Sequence, residues 1–274
     1  MTTITANSIP AVQPFDAVAT TYDDQFTQSL IGVAQRKSVW NVMDKVFLPG
    51  QRILEINCGT GVDALHLARR GVRVMACDVS EGMISVARQR RKDSPNRDFV
   101  DLRTLAIEQI SQLEKSGPYD GVLSNFAGLN CVRDLKVVGN ALARLIKPGG
   151  KAVLCLFGRR CLWEILWYSA RGDFTRAFRR LRPDGMLVSL APGRDVLVHY
   201  PSVDELEREL APHFRLRSSR GVGVAVPPSY LEYLAVRFSR LFRCAAAMDP
   251  LLGQLPGVRA LADHVVVTLE RVAG

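Results

Sequence analysis

The sequence holds no run of about 18 uninterrupted apolar residues, so nothing in it reads as a membrane-spanning helix. Met1 to Pro14 carries no basic residue and no long apolar core. That excludes a secretory signal and predicts a short disordered leader. Cys58, Cys77, Cys131, Cys155, Cys161 and Cys244 form no CxxC pair. Several stand inside apolar strand-like runs, where a free thiol behaves as a small hydrophobe. This argues for a reducing cytoplasm and against a disulfide framework or a zinc site. His66, His199, His213 and His264 lie far apart without metal-ligand spacing, so no metal is expected.

What is present is ordinary in bulk and uneven in charge. The 274 residues are 47% hydrophobic and 23% charged, enough for a substantial core in a soluble globular protein. The formal net charge is +9, and residues 159–182 hold seven Arg against Glu164 and Asp173. Such a patch suits an acidic substrate, a membrane surface, a nucleic acid, or simply a solvated helix face.

From residue 52 short apolar runs alternate with helical patterns. Strands are expected at Arg52–Asn57, Val72–Cys77, Asp98–Leu102, Tyr119–Ser124 and Lys151–Phe157. Helices are expected at Val62–Arg70, Glu81–Arg91, 107–115 and Leu135–Ile146, the last stopped by Lys147-Pro-Gly-Gly150. Repeated β–α alternation with short loops implies an α/β fold with a doubly wound parallel sheet covered on both faces. An amphipathic helix is expected over Ser29–Phe47. Beyond the core, a helix is expected at 203–211, a strand at 214–226, a helix opened by the capping box Ser229-Tyr-Leu-Glu232, and a closing strand Asp263–Val272. The chain thus divides into a leader and cap helix (1–47), a cofactor-binding core (48–157), a helical substrate lid (158–213) and the closing strands (214–274).

The informative segment is Glu55-Ile-Asn-Cys-Gly59-Thr-Gly61. A strand delivers the chain to a tight turn, and glycines let the backbone approach a ligand without Cβ collisions. A helix begins just beyond, and its free N–H groups favour a negatively charged ligand group. About 20 residues on, Asp78 ends the next strand, where an acid can accept hydrogen bonds from both ribose hydroxyls of a nucleoside. Dinucleotide enzymes use the same geometry, and Gly59-x-Gly61-x-x-Ala64 fits the permissive form of their fingerprint. Two features point away from them: Glu55 puts a carboxylate inside the first strand, and Asn57-Cys58 replaces the expected glycine and small apolar residue.

Glu55-Ile-Asn-Cys-Gly-Thr-Gly61 resembles motif I of class I S-adenosylmethionine-dependent methyltransferases, E/D-x-G-x-G-x-G, with Asn57 at the first glycine. Cys77-Asp-Val-Ser80 with Met83 resembles the family's second motif, Tyr119-Asp-Gly-Val-Leu-Ser-Asn125 its fourth strand, and Leu145-Ile-Lys-Pro-Gly-Gly150 the helix end before strand five. Phe15-Asp16 and Tyr22-Asp23 resemble the lead of its ubiquinone/menaquinone-type and natural-product members. The resemblance covers about residues 15–157 and, more weakly, 214–272. It implies a Rossmann-like methyltransferase fold, a seven-stranded mostly parallel sheet with the last strand antiparallel, and S-adenosylmethionine as cofactor.

By that resemblance Asp78 would hold the ribose, and Gly59 and Gly61 the methionine end, within a site that takes in Tyr22, Glu55, Asn57 and Cys58. Val79 and Met83 would flank adenine together with Ala106 and Ile107, with Glu108 one place late for the acid usually offered to the adenine amino group. Asn125 and Phe126 would face the sulfonium and the acceptor. Ser124-Asn-Phe-Ala127 is not the Asp/Asn-Pro-Pro-aromatic motif of nucleobase-methylating enzymes, which argues against a nucleic-acid partner and for a small-molecule acceptor.

Methyl transfer is an in-line displacement in which the protein mainly aligns the reactants and keeps water out. A base is needed only if the nucleophile arrives protonated. His199 is the candidate catalytic residue, with Tyr200 beside it, although a partly buried structural histidine or a strand-end contact suits the pattern better. His66 reads as packing, and His264 has no visible partner. Trp163, Trp167, Ala170, Phe174, Phe178 and Leu181 fall on one side at helical spacing, with most Arg opposite. The expectation is a lid closing over the acceptor, its aromatic stripe inward and its Arg face solvated; peripheral membrane contact through the same insertion is the alternative. Leu231, Leu234, Phe238, Leu241 and Ala245 form a second such stripe. A nicotinamide-dependent oxidoreductase and a cofactor-binding scaffold without turnover are the competing functions. The sequence leaves oligomeric state open.

Overall fold

A computed structural model describes residues 13–273. The leader expected over Met1–Pro14 lies, up to residue 12, outside the described residues.

The central sheet contains β1 (Arg52–Ile56), β2 (Arg73–Asp78), β3 (Val100–Thr104), β4 (Tyr119–Ser124) and β5 (Ile146–Phe157). A separate hairpin, β6 (Met186–Ala191) and β7 (Arg194–Val198), follows, and β8 (Phe214–Val222) and β9 (His264–Arg271) complete the sheet. Its order is β3-β2-β1-β4-β5-β9-β8, with β9 antiparallel to both neighbours and β1 to β5 parallel. This is the doubly wound, seven-stranded sheet that the resemblance implied. Strand order reverses between β1 and β4, and open α/β sheets bind ligands outside the carboxyl ends of the strands at such a switch point.

Helices α1 (Leu30–Val46), α2 (Val62–Arg69) and α3 (Glu81–Lys92) cover one face, and α4 (Leu135–Leu145) and α7 (Val203–Leu210) the other. Buried side chains therefore lie on both sides of the sheet: Ile53, Leu123 and Val153 face α1–α2, while Leu54, Val122 and Leu154 face α4. Burying each such side chain stabilises the fold by roughly 1.5–3 kcal/mol. Helix α1 belongs to this core rather than to a detachable cap, since Val39, Met43 and Phe47 pack with Ile53 and Val153.

Local chemistry accounts for the helix starts. Ser80 Oγ accepts from Met83 N (3.1 Å), Asp134 Oδ1 from Val137 N (3.1 Å), and Ser202 and Glu205 form a capping box on α7. The box expected at Ser229 does not form. Glu232 accepts instead from Leu30 N (2.7 Å) and Ile31 N (3.0 Å), so its carboxylate caps α1, and α8 (Glu232–Arg237) starts after a 3₁₀ turn. Two other segments differ from expectation: 107–116 is a 3₁₀ helix, and Ile146 already pairs with Tyr119, with Lys147-Pro-Gly-Gly150 looping out before Lys151 meets Gly121.

The largest correction concerns 158–213. Helices α5 (Leu162–Ser169) and α6 (Phe174–Ala177) are present, but the segment also contains the β6–β7 hairpin, and the expected stripe is split. Trp163 and Trp167 are half-buried, with Trp163 Nε1 donating to the Val224 carbonyl (3.0 Å), while the stripe beyond them is not turned inward. Glu164, 1% exposed, accepts from Arg179 Nη2 (2.5 Å) and Arg180 Nη2 (2.8 Å). Arg180 is itself buried and reaches Asp263 Oδ1 (2.6 Å), the Asp263 carbonyl (2.7 Å) and the Gly158 carbonyl (3.2 Å). Arg179 and Arg180 thus point inward, because buried carboxylates and carbonyls at the β5–β9 junction require them, while Phe174 (61% exposed), Phe178 and Leu181 face solvent alongside Arg160, Arg171, Arg176 and Arg182.

Candidate functional site

A cavity of about 990 Å³ opens at the carboxyl ends of β1, β2 and β4. The turn after β1 forms its floor. Asn57 (φ 56°), Gly59 (φ 52°) and Gly61 (φ 74°) all take left-handed backbone. Asn is among the few side chains that tolerate that region, which is why it can stand where the family motif has glycine. A Cβ built on Gly59 would meet nothing within 4 Å, so the missing side chain leaves open space at a turn that lines the cavity.

Asp78 locks this turn to the next. Its Oδ2 accepts from Gly59 N and its Oδ1 from Ser80 N, both at 2.9 Å. Burial raises its carboxyl above the usual range, opposed by those N–H groups and reinforced by the charge of Asp16. The same side chain lines the cavity, so a nucleoside ribose would meet a preoriented acceptor.

A second cluster was not anticipated from sequence. Asp63, on the first turn of α2, is buried and accepts from Arg36 Nη1 (2.5 Å), Trp40 Nε1 (2.6 Å) and Asn125 Nδ2 (2.9 Å). Burial alone would raise its pKa, but the Arg36 charge and these donors outweigh it and hold the carboxyl below its ordinary value. Arg36 also lines the cavity, lies 4.6 Å above the Phe126 ring, and has no hydrogen-bond partner for Nε among the described residues. The signal that could have found the pair is weak: one Arg beside Gln35 on a mostly apolar helix face and one Asp just past the glycine turn.

After β4 the backbone is strained. Phe126 (φ 48°) and Ala127 (φ 66°) are successive non-glycine residues in the left-handed region, a costly arrangement that clusters at ligand sites. Asn125 Oδ1 braces it by accepting from Phe126 N (2.9 Å). The Phe126 ring meets Phe26 edge-on at 4.9 Å and His264 at 5.5 Å.

Of the residues singled out in the sequence, Tyr22, Asn57, Cys58, Gly59, Asp78, Val79, Met83, Ala106, Ile107, Asn125 and Phe126 line this one cavity, and Glu108 joins them. Three do not. Glu55 is buried within β1, and its Oε2 has no hydrogen-bond partner among the described residues. Gly61 heads α2, and a Cβ there would stand 3.0 Å from Ala87 Cβ, so this glycine lets α2 approach α3. His199 sits at the base of the hairpin, its backbone fastened on both sides to Asn130 (2.7 and 2.6 Å) and its ring beside Gly185. His264, expected to lack partners, stacks on Phe157 at 4.7 Å and lies 3.3 Å from Asp263.

The mouth is covered by elements other than the expected helical lid. Asp195, Val196 and Leu197 of β7 line it together with Gln13, Pro14 and Phe15, whose 3₁₀ turn touches the hairpin; no residue of 158–182 does. The acids of the N-terminal lead act as fasteners. Asp16 accepts from Ser80 Oγ (2.5 Å), Gly82 N (2.9 Å) and Gln13 N (2.8 Å), while Asp23 accepts from Thr60 Oγ1 (2.8 Å) and pairs with Arg90.

Comparison with known proteins follows this geometry. Residues 53–150 match the family model described as a methyltransferase domain. The chain is 34% identical over 145 residues to a demethylmenaquinone methyltransferase of Clavibacter sepedonicus, covering 52% of this chain and 56% of that one. It is 31% identical over 174 residues to the demethylmenaquinone methyltransferase of Streptomyces avermitilis, covering 62% and 67%. It therefore spans between about half and two thirds of the length of these curated relatives. Among solved structures, the [4+2]-cyclase SpnF aligns over 97% of this chain and 99% of its own, with a TM-score of 0.61 and 17% identity, a likeness of fold alone.

Proposed function

Because this chain belongs to the class I S-adenosylmethionine-dependent methyltransferases, we propose that it moves a methyl group from S-adenosylmethionine to oxygen, nitrogen or carbon of a small apolar acceptor. The observation that carries the reading is the Asp78 carboxylate, held at 2.9 Å by Gly59 N and Ser80 N beside a glycine whose absent Cβ leaves room for a ligand.

The residues fit the cofactor along its length. Asp78 would accept from the ribose hydroxyls, Val79, Met83, Ala106 and Ile107 supply apolar walls for adenine, and Glu108 stands at the same wall. At the other end Arg36, with its unpartnered Nε, suits a carboxylate, and the turn 57–61 offers free backbone. When bound, the sulfonium supplies an electrophilic methyl group and a neutral thioether leaving group.

The chain's own part is positional. Phe126, braced by Asn125, walls the cavity where an acceptor would lie, with Cys131, Val132, Val196 and Leu197 around it. These groups are apolar, which favours a hydrophobic acceptor such as the demethylmenaquinone for which the relatives are named. Closure by β7 and residues 13–15 keeps water from the reacting pair. Asp63, the acid bonded to Asn125, is spoken for by Arg36 and Trp40 as well, and Asp78 holds two backbone N–H groups, whereas Glu108 and Asp195 also line the cavity, at the adenine wall and on β7. Burial pushes the Tyr22 hydroxyl up to about 12, so it stays protonated at neutral pH. The arrangement suits an acceptor that arrives as a ready nucleophile.

The test is calorimetric titration with S-adenosylmethionine and NAD(H), followed by metabolite profiling with an isotopically labelled methyl donor. Binding of the first cofactor alone, with label appearing in one small molecule, is expected. Binding of NAD(H) instead would overturn the reading, and binding without any labelled product would leave a cofactor-holding module.

A further inference from the structure

Helix α9 (Ser239–Leu252) turns apolar side chains to water. Leu241 is 71% exposed and Leu251 67%, with Met248 between them on the same side of the helix and Leu255 just beyond its end. The buried side is narrow, held by Phe242 and by Asp249. Asp249 is the one acid of α9, and it is consumed inside, accepting from Gly223 N (3.0 Å), Ala225 N (2.7 Å) and Val226 N (3.2 Å). The exposed half carries Arg240 and Arg243 and no carboxylate. On the adjoining α8, Tyr233, Val236 and Phe238 are exposed beside Arg237, and the only acid there, Glu232, is bound to the first N–H groups of α1. Exposed apolar side chains gathered on two adjoining helices mark an interaction site rather than ordinary surface.

We propose that the outer face of α8 and α9 docks on an anionic phospholipid bilayer. Leu241, Met248 and Leu251 enter the boundary between headgroups and acyl chains, while Arg237, Arg240 and Arg243 meet headgroup phosphates. Charge selects this occupant. A second copy would bring its own arginines against these without any free acid to pair them, so self-association across the face is opposed by like charge. An anionic lipid surface answers every cation on the face, and Tyr233 and Phe238 are the kind of side chain that settles at such an interface. Arginine stems can also lie along apolar surface while their heads reach phosphate. In the Arg-rich segment 159–182, Arg159, Arg179, Arg180 and Arg176 are bound to Glu205, Glu164, Asp263 and Asp173, and Arg171 stacks on Trp167, so only Arg160 and Arg182 of its seven arginines could meet headgroups without giving up such a contact. Helix α1, which carries Arg36 into the cavity, begins beside this face.

Co-sedimentation of the full chain with phosphatidylglycerol-containing vesicles and with pure phosphatidylcholine vesicles, at low and physiological salt, tests the proposal. Binding to the anionic vesicles alone is expected, weakening as salt rises. Arg240→Gln with Arg243→Gln should lower it by about tenfold or more and flatten its salt dependence. Leu241→Gln with Leu251→Gln should lower it by at least about tenfold. These side chains are exposed, so both variants should keep the thermal stability of the parent chain. Failure of the methyltransferase reading would leave these outcomes unchanged. No sedimentation with anionic vesicles overturns the proposal, as does equal binding by the variants. Elution of the chain as a dimer that Leu241→Gln with Leu251→Gln splits overturns it in favour of a second copy.

Discussion

Replacing Asp78 by alanine removes one carboxylate that serves two purposes. In the free protein its two oxygens each accept a backbone N–H at 2.9 Å, from Gly59 and Ser80, and so tie the turn after β1 to the turn after β2. With cofactor bound, the same oxygens would also accept the two ribose hydroxyls. Hydrogen bonds to an ionised acceptor contribute about 1.5–3 kcal/mol each, so losing two weakens cofactor binding by roughly 10²- to 10⁴-fold. Gly59 N borders the cavity, where water can replace the lost partner, whereas Ser80 is fully buried and its N–H would be left unpaired, a stability loss of about 1–3 kcal/mol. Titration calorimetry with S-adenosylmethionine measures the first quantity and urea unfolding the second. Asp78→Asn is the sharper variant: its amide can satisfy one N–H but faces the other donor to donor, so it should fall near alanine in both. If Asp78→Ala binds within about threefold of the parent chain, the ribose lies elsewhere and the account of the site fails.

Three further outcomes follow from the same geometry. Gly59→Val should abolish cofactor binding in calorimetry, because a branched side chain would fill the open space at the turn and would also be strained at φ 52°; normal binding would move the ligand out of this cradle. Burial, with the charge of Asp63 added, raises the folded-state pKa of Glu55 well above 4.5, and Arg36 opposes this only in part. The contribution of Glu55 to stability is therefore full below pH 4.5 and lost as pH rises through the raised value. Glu55→Gln should melt increasingly above the parent chain as pH climbs from that point, and a difference that narrows with rising pH would contradict the assignment. Arg180→Gln leaves Glu164 and Asp263 buried without their shared cation and should cost about 3–5 kcal/mol in urea unfolding, whereas a loss below about 1 kcal/mol would mean that the cluster is not dry.

Much of the site was legible because its signals are local. The Asn57–Gly61 turn needs left-handed backbone within five residues, and Asp78 follows from the length of one β–α–β unit, so pattern and spacing were enough. Expectations failed where a residue's partner is remote in sequence. Glu232 looked like the end of its own capping box but binds α1 across about 200 residues of chain, as their separations of 202 and 201 record. His199 has a plausible position in a strand-like run, yet its backbone pairing to Asn130 puts the imidazole at the base of the hairpin.

By itself the sequence determined the β–α alternation of residues 52–157, the parallel core and the glycine turn after β1, because hydrophobic period, glycine conformation and short connections act over a few residues. Only the tertiary structure decided which face of 158–182 turns inward. Periodicity puts aromatics and arginines on opposite sides without saying which side is core, and here the buried carboxylates of Glu164 and Asp263 required a cation more than Phe174 and Phe178 required burial. The same holds for the pairing of Arg36 with Asp63 and for the hairpin that covers the mouth. Each depends on groups brought together from separate elements, which no local pattern encodes.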